Sequence, residues 1–253
     1  MTDTLVRNLL YFLSQKYEGD TQAIIEAVNR REETKDIGEF VPDNPNFFTI
    51  VDSEYPGQMK RVLPIPPIIV YYEGNLDLLK SQKAFLGVIS DENPDLSFEL
   101  RYFYPELVTD SLGENTIIVT NSHTVVDEIV DLETPIIYIM SKEDAKNPDD
   151  FQKDEILENG GLILTCYPSK ASGVSNAENI RLFVSLIKGL VVCIGNQKTD
   201  AQTIVDGTLY NGKDVLVVPT LPEENCINNQ LIKQGAFLVE NAKDIADLLN
   251  INC

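Results

Sequence analysis

The N-terminal region alternates apolar and polar positions at helical spacing. In LVRNLLYFLSQKY the leucines recur at intervals of three and four residues, which predicts an amphipathic helix. Asp20 and Thr21 are placed to cap a second helix, TQAIIEAVNRR. The charged, proline-containing stretch REETKDIGEFVPDNPN follows. It predicts a boundary between a small helical module with its linker, residues 1–46, and a main body, residues 47–253.

The main body consists of short apolar runs separated by helix-like segments. The runs are KAFLGVIS, NTIIVTNS, TPIIYIMS, GLILTCYP, GLVVCIGN, KDVLVVPT and GAFLVEN. Nearly continuous apolar runs are typical of strands that are buried on both faces of a parallel sheet. Segments such as DDFQKDEILENG and DAQTIVDGTLYNG favour helices that end at glycine. The alternation predicts an α/β fold: a Rossmann-like, doubly wound, mostly parallel sheet with a small N-terminal helical module.

Composition narrows the class of protein. A chain of 253 residues that is 43% hydrophobic can bury a sizeable core. Because no apolar run is long enough to span a membrane and the N-terminus lacks a signal-peptide pattern, no membrane partner is expected. The four cysteines are scattered and are expected to be free, buried thiols of a cytoplasmic protein. With His123 as the one histidine, no metal site is expected.

The net charge of −20 is unevenly placed along the chain. Residues 1–160 hold 31 acidic and 13 basic side chains, whereas residues 161–253 hold 9 and 7. This acidity argues against a broad surface that follows nucleic-acid phosphates, because affinity for nucleic acid comes largely from neutralising them. Two interpretations stay open: the charge keeps the protein soluble, or it repels or mimics nucleic acid.

Candidate chemistry lies at the strand ends, where open parallel sheets bind ligands. The run FLGVIS is followed by DENPDLS, which has acids and no glycine, and neither GxGxxG nor Walker A motifs occur, so no nucleotide cofactor is expected. Lys170, Arg181 and Lys198 fall at neighbouring loop–helix junctions and predict a modest anion site. The alternative for Arg181 is an ion pair with Glu178 at i, i+3.

Other polar residues at the strand ends favour structural roles. His123 follows the second parallel strand without a nucleophile motif, so it is interpreted as a structural residue, and no catalytic residue is expected. Thr199 or Asp200 is placed to cap one helix, and Asn228 and Asn229 are placed to cap another.

Five segments follow one another in a recognisable order. They are TIVDSEYPGQMKRVLPIPPIIVYYEGNLDLL, GGLILTCYPSKA, SNAENIRLFVSLIKGLVVCIGN, NGKDVLVVPT and INNQLIKQGAFLVENAKDI. In this order, from about residue 47 to the C-terminus, they resemble the DNA-processing protein A (DprA/Smf) family. The resemblance implies a Rossmann-like domain that binds single-stranded DNA and helps a RecA-type recombinase load onto it during natural transformation. It also implies a homodimer and no turnover of a substrate.

The positions that match the family's DNA-binding motifs carry few cations. Ile89-Ser90-Asp91 stands where the family has Gly-Ser-Arg, and Asn179 replaces the first arginine of an Arg-Asn-Arg motif whose second arginine is Arg181. Thr199 opens the counterpart of a Ser-Gly-Ser turn. The candidate DNA- or anion-binding residues are Ser90, Lys170, Asn179, Arg181, Lys198, Thr199 and Asn229.

Each lost phosphate contact removes a favourable counterion-release contribution. The expected function is therefore DprA/Smf-like DNA processing in which single-stranded DNA binding is weakened or confined to a pocket around Arg181, Lys170 and Lys198. One alternative is a regulatory or partner-binding protein that has lost nucleic-acid binding. Another is a nucleotide or small-anion binder at the strand ends, although the glycine-rich loop of such proteins is missing.

Overall fold

A mixed sheet is the centre of the protein, in a computed structural model that describes residues 3–32, 42–92, 100, 102–147, 151–169, 171–172, 176–221 and 226–251. The strands are β1 Phe47–Thr49, β2 Ile69–Gly74, β3 Ala84–Ser90, β4 Thr116–Thr120, β5 Ile137–Ile139, β6 Leu162–Thr165, β7 Gly189–Ile194, β8 Asp214–Val217 and β9 Phe237–Leu238. Their order across the sheet is β1-β2-β6-β5-β4-β3-β7-β8-β9.

The sheet is parallel from β6 to β9 and antiparallel at the edge formed by β1 and β2. The predicted Rossmann-like, mostly parallel sheet is therefore confirmed. The chain places β4, β5 and β6 on one side of β3 and then crosses to place β7, β8 and β9 on the other. The change of direction between β3 and β7 makes their carboxyl ends the topological switch point.

Helices cover both faces of the sheet. They are α1 Asp3–Lys16, α2 Thr21–Asn29, α3 Phe103–Val108, α4 Asp110–Asn115, α5 His123–Ile129, α6 Lys153–Glu158, α7 Ala177–Leu186, α8 Ala201–Tyr210, α9 Asn228–Lys233 and α10 Ala242–Leu249. Short 3-10 turns span Met59–Arg61, Leu76–Lys80 and Val130–Leu132. None of the helices in the described ranges is long and apolar enough to cross a lipid bilayer.

Two hydrophobic cores, one on each face, explain the uninterrupted apolar runs. In β7, Val191 and Cys193 pack into the core beneath α3, α4, α5 and α10. Leu190 and Val192 pack into the opposite core, beneath α7 and α8. Alternate residues of one strand thus serve both cores, and each large side chain that is fully buried contributes about 1.5–3 kcal/mol.

The helical module, α1 with α2, docks on the antiparallel edge of the sheet. Leu13 and Ile24 pack with Ile68, and Tyr11 packs against Phe47 at a ring separation of 4.8 Å. The Asp20 side chain accepts a hydrogen bond from the Ala23 amide at 2.9 Å, so it caps α2 as predicted. Residues 33–41, most of the predicted linker, lie outside the described residues. The division at residues 46 and 47 stays a prediction.

Candidate functional site

A crevice of about 460 Å³ opens at the topological switch point, between the carboxyl ends of β3 and β4 and the start of α8. We call it the strand-end crevice. The residues that define it are Ser90, Asp91, Ser122, His123, Thr199 and Asp200. Its location is the one that the fold predicts for a ligand site.

The strand-end crevice is acidic. The carboxylates of Asp91, Glu92, Glu143 and Asp200 line it, and no lysine or arginine is among its described lining residues. Two carboxylates near one another each disfavour the charge of the other, and together they repel phosphate. Because of these carboxylates, the strand-end crevice is electrostatically unsuited to bind a phosphodiester.

Asp91 occupies the hydrogen-bond donors at the end of β7. Its Oδ2 accepts from the Asn196 amide at 2.6 Å and from the Thr199 hydroxyl at 2.8 Å. Burial raises the pKa of Asp91, with a further rise from nearby Asp200, while the hydrogen bonds from Asn196 and Thr199 oppose the rise. The carboxylate thus binds donors that in other Rossmann-like proteins face a ligand anion.

His123 is held in a structural contact, as the sequence predicts. Its Nε2 lies 2.9 Å from Oδ1 of Asp144, and its ring stacks on Phe151 at 6.1 Å. Asp144 also accepts from the Ser141 amide at 2.7 Å and from the Tyr138 hydroxyl at 3.1 Å. Burial raises the pKa of Asp144, but the hydrogen bonds from His123 and Ser141 outweigh it, and the net pKa is lowered.

Ser90 and Asn179 bind other parts of the protein. The buried Ser90 hydroxyl pairs with the Tyr104 hydroxyl at 2.7 Å. The buried Asn179 side chain accepts from the Cys166 amide at 2.8 Å and donates to the Met140 carbonyl at 2.6 Å. Asn179 therefore joins the ends of β5 and β6 to α7, and in this conformation its amide is used internally.

Arg181 makes the ion pair that the sequence offered as an alternative. Its Nη1 lies 2.7 Å from Oε2 of Glu178, and the same oxygen accepts from the Thr21 hydroxyl at 2.5 Å. The Arg181 side chain is 21% exposed and lines a groove between α7 and α8 that also includes Leu63 and Tyr210. Arg181 thus helps to join the helical module to the sheet.

The three predicted cations have different surroundings. Lys198 is exposed in the loop between β7 and α8, and Lys170 lies outside the described residues. Neither Arg181 nor Lys198 is among the described residues that line the strand-end crevice. Arg181 lines the groove between α7 and α8, and Lys198 is not among the described residues of that groove. The shared pocket around Lys170, Arg181 and Lys198 stays a prediction.

The predicted helix caps are found only in part. Asp200 precedes α8 without a side-chain cap, whereas the Thr199 hydroxyl accepts from the amide of Ala201, the first residue of α8, at 3.3 Å and donates to Asp91. Ile227, not an asparagine, precedes α9. The Asn229 side chain donates to the Thr220 carbonyl at 2.6 Å and closes the loop after β8.

The sequence did not predict the role of Asn228. It is fully buried; its Oδ1 accepts from the Gly195 amide at 2.8 Å, and its Nδ2 donates to the Cys193 and Val218 carbonyls at 2.8 Å each. Asn228 therefore ties the ends of β7 and β8 together. The Asn-Asn pair was the available signal, but only the fold shows that its first member points inward.

Comparison with known proteins identifies the fold. The sequence matches no protein-family model and no curated protein. The structure is similar to that of DNA processing protein A (DprA) from Streptococcus pneumoniae, with a TM-score of 0.68 and 16% identity over 100% of this chain and 94% of that one. It is also similar to DprA from Helicobacter pylori, with a TM-score of 0.65 and 16% identity over 81% of this chain and 95% of that one. The Helicobacter pylori structure was described for its mode of single-stranded DNA binding. These likenesses confirm the predicted resemblance at the level of the fold.

Proposed function

We propose that this chain is a DNA-processing protein of the DprA type that contacts single-stranded DNA weakly. The observation that carries the proposal is the match of fold to the Streptococcus pneumoniae protein over the whole chain. The Helicobacter pylori neighbour supports single-stranded DNA as the ligand. The proposed role is binding without turnover, with a RecA-type recombinase as the protein partner and a second copy of the chain as a dimer partner.

Weak binding follows from the charges of the strand-end crevice. Asp91 holds the Asn196 amide and the Thr199 hydroxyl, so a phosphate would have to displace it. A phosphate that entered would also meet the carboxylates of Glu92 and Glu143. Each contact that is lost in this way removes a favourable counterion-release contribution.

Lys198 is the cation that we propose for the remaining DNA contact. Its side chain is exposed, and it directly precedes Thr199 at the margin of the strand-end crevice. Arg181 is less available, since Glu178 neutralises it at 2.7 Å. A mobile, exposed lysine can neutralise a phosphate without a fixed geometry.

The test is a fluorescence-anisotropy titration of labelled oligo-dT at low salt. We expect Lys198→Ala to lower the affinity roughly threefold to tenfold, and Lys233→Ala, another exposed lysine, to leave it unchanged. Arg181→Ala should change the affinity little and lower the melting temperature. Equal affinity in the wild type and in Lys198→Ala would remove Lys198 from the interface.

A second candidate function is a regulatory, partner-binding protein without nucleic-acid binding. The specific observation in its favour is the internal carboxylate of Asp91, which already satisfies the donors at the end of β7. Saturable oligo-dT binding would exclude this candidate. Co-purification of the chain with a recombinase, together with no measurable affinity for oligo-dT, would support this candidate. No observation favours a nucleotide in the strand-end crevice, because the same carboxylates oppose it.

A further inference from the structure

A second cavity, of about 420 Å³, lies at the amino ends of β3, β7 and β8, the opposite edge of the sheet from the strand-end crevice. We call it the basic cavity. The side chains that give it its charge are Arg61, Lys83, Lys188 and Lys213. No Asp or Glu is among its described lining residues, in a chain whose net charge is −20.

Sheet topology brings these cations together. Lys83, Lys188 and Lys213 each directly precede a strand, and the three strands β3, β7 and β8 are neighbours. Gly189 pairs with Asp214, which sets Lys188 and Lys213 side by side. Gly189 also pairs with Leu86, so Lys83 lies two residues before the residue that is level with Lys188. With neighbouring strands about 4.8 Å apart and about 3.3 Å per residue, the three lysine backbones lie within about 12 Å of each other. Arg61 joins them from the end of a 3-10 turn.

Lys213 has a structural partner. Its Nζ donates to the Val184 carbonyl at 2.5 Å and to the Ile187 carbonyl at 2.7 Å, at the end of α7. It therefore satisfies carbonyls that the helix leaves unpaired and offsets the negative end of the helix dipole. Without this contact those carbonyls would repel an anion in the basic cavity.

The other cations are available to a ligand. The side chains of Arg61 and Lys83 are exposed and make no hydrogen bond or ion pair with the described part of the chain. The Lys188 amine lies 3.3 Å from the Asn250 carbonyl, which leaves its other protons for a ligand. Three positive charges thus surround one cavity, and no carboxylate among its described lining residues balances them. An anion would relieve their mutual repulsion.

We propose that the basic cavity binds a small ligand with two or more linked phosphates, either pyrophosphate or the phosphate chain of a nucleotide. Three cations match the charge of such a group, and the planar guanidinium of Arg61 can donate two parallel hydrogen bonds to it. The volume is within the range of small-molecule sites, about 300–1,000 Å³.

The lining also argues against a nucleobase or a DNA strand. Phe85 is the one aromatic residue among the described lining residues, and it is 5% exposed. Proteins that bind single strands combine a basic groove with aromatic rings on which bases stack. The basic cavity lacks the rings, so the phosphates themselves are the recognised group.

Isothermal titration calorimetry of the full chain with pyrophosphate, in a phosphate-free buffer at low salt, tests the proposal. We expect saturable binding that weakens at least about tenfold in the double variant Arg61→Ala/Lys83→Ala. The control is Lys233→Ala/Lys243→Ala, which removes the same charge from exposed helix positions and should retain the wild-type affinity. All four side chains are exposed, so both variants are expected to fold.

Parallel titrations with ATP and oligo-dT identify the source of the phosphate. Similar affinities for ATP and pyrophosphate would support recognition of the phosphates alone, and tighter ATP binding with the same loss in the double variant would support a nucleotide ligand. Three results would overturn the proposal: no saturable heat with pyrophosphate, an equal loss in both double variants, or a loss that is confined to oligo-dT.

Discussion

Asp91 places a carboxylate 2.6 Å from the Asn196 amide and 2.8 Å from the Thr199 hydroxyl, at the mouth of the strand-end crevice. A carboxylate in this position both repels phosphate and occupies its donors. Among single residues, Asp91 is the one on which the proposed weak binding of single-stranded DNA depends most.

We predict that Asp91→Asn increases oligo-dT affinity. The amide oxygen can still accept both hydrogen bonds, while the removal of one like charge near a phosphate gains about 1 kcal/mol, or roughly fivefold in affinity at low salt. Fluorescence anisotropy measures the change. The control is Asp154→Asn, an exposed acid on α6 that changes the net charge equally. The same gain in both variants would show that net charge, not the crevice, sets the affinity.

The raised pKa of Asp91 predicts a pH dependence of stability. Because burial raises this pKa, the folded chain binds the proton more tightly than the unfolded chain. The resulting stabilisation is fully present below the unfolded pKa of about 3.9 and is lost as the pH rises through the folded pKa. We therefore expect the melting temperature of Asp91→Asn to rise relative to that of the wild type between about pH 4 and pH 7. A difference in melting temperature between the two proteins that stays constant over this pH range would contradict the burial of the Asp91 charge.

Asn228 and Asn229 form a natural pair for a stability test. Asn228→Ala leaves the Gly195 amide and two carbonyls without their partner in the core, so we expect a loss of about 3 kcal/mol. Asn229→Ala removes a partly exposed hydrogen bond to Thr220, with an expected loss of about 1 kcal/mol. Chemical denaturation measures both. A smaller loss for Asn228 than for Asn229 would contradict its role in tying β7 to β8.

At the scale of elements, the turn between α1 and α2 lies close against the backbone that follows β6. Gly19, between α1 and α2, has φ +80°, and a Cβ at this position would lie 2.7 Å from the Cys166 carbonyl oxygen. Only glycine fits there, because both the backbone conformation and the space exclude a side chain.

We predict that Gly19→Ala costs about 2 kcal/mol or more, from left-handed strain and the clash with the Cys166 carbonyl. Gly57→Ala is the matched control, since a Cβ at Gly57 has no atom within 4 Å. Thermal denaturation of the two variants measures the difference. An unchanged melting temperature in Gly19→Ala would show that the module does not pack against the end of β6.

Elements with strong local patterns were predictable, and those that depend on distant partners were not. The apolar runs that form β3 to β8, and the helical spacing of apolar residues within α1 and within α2, each lie within one short segment. The structure confirms these strands and helices. The antiparallel pairing of β2 with β6 joins residues that are far apart in sequence, for example Tyr71 with Thr165, and no local pattern encodes it. For the same reason the sequence marked Arg181 as a cation at a strand end but did not show which way its side chain leaves α7.

At the scale of the whole molecule, the parallel sheet has oppositely charged edges. The carboxyl edge has the acidic strand-end crevice, and the amino edge has the basic cavity. Totals of acidic and basic residues could not reveal this separation, because Lys83, Lys188 and Lys213 are distant in sequence and meet only through the order β3-β7-β8. The net charge of −20 therefore describes the local charge of neither site.

We propose that this chain keeps the fold of DNA processing protein A while its strand-end crevice binds single-stranded DNA weakly. The most direct test is the affinity of the wild type for oligo-dT as a function of salt. We predict a dissociation constant of about 10 µM or weaker at low salt and a log–log slope below about 2 in magnitude, since each neutralised phosphate of a single strand adds about 0.7. A submicromolar dissociation constant with a slope above about 4 would mean that many phosphates are neutralised, and it would contradict the account.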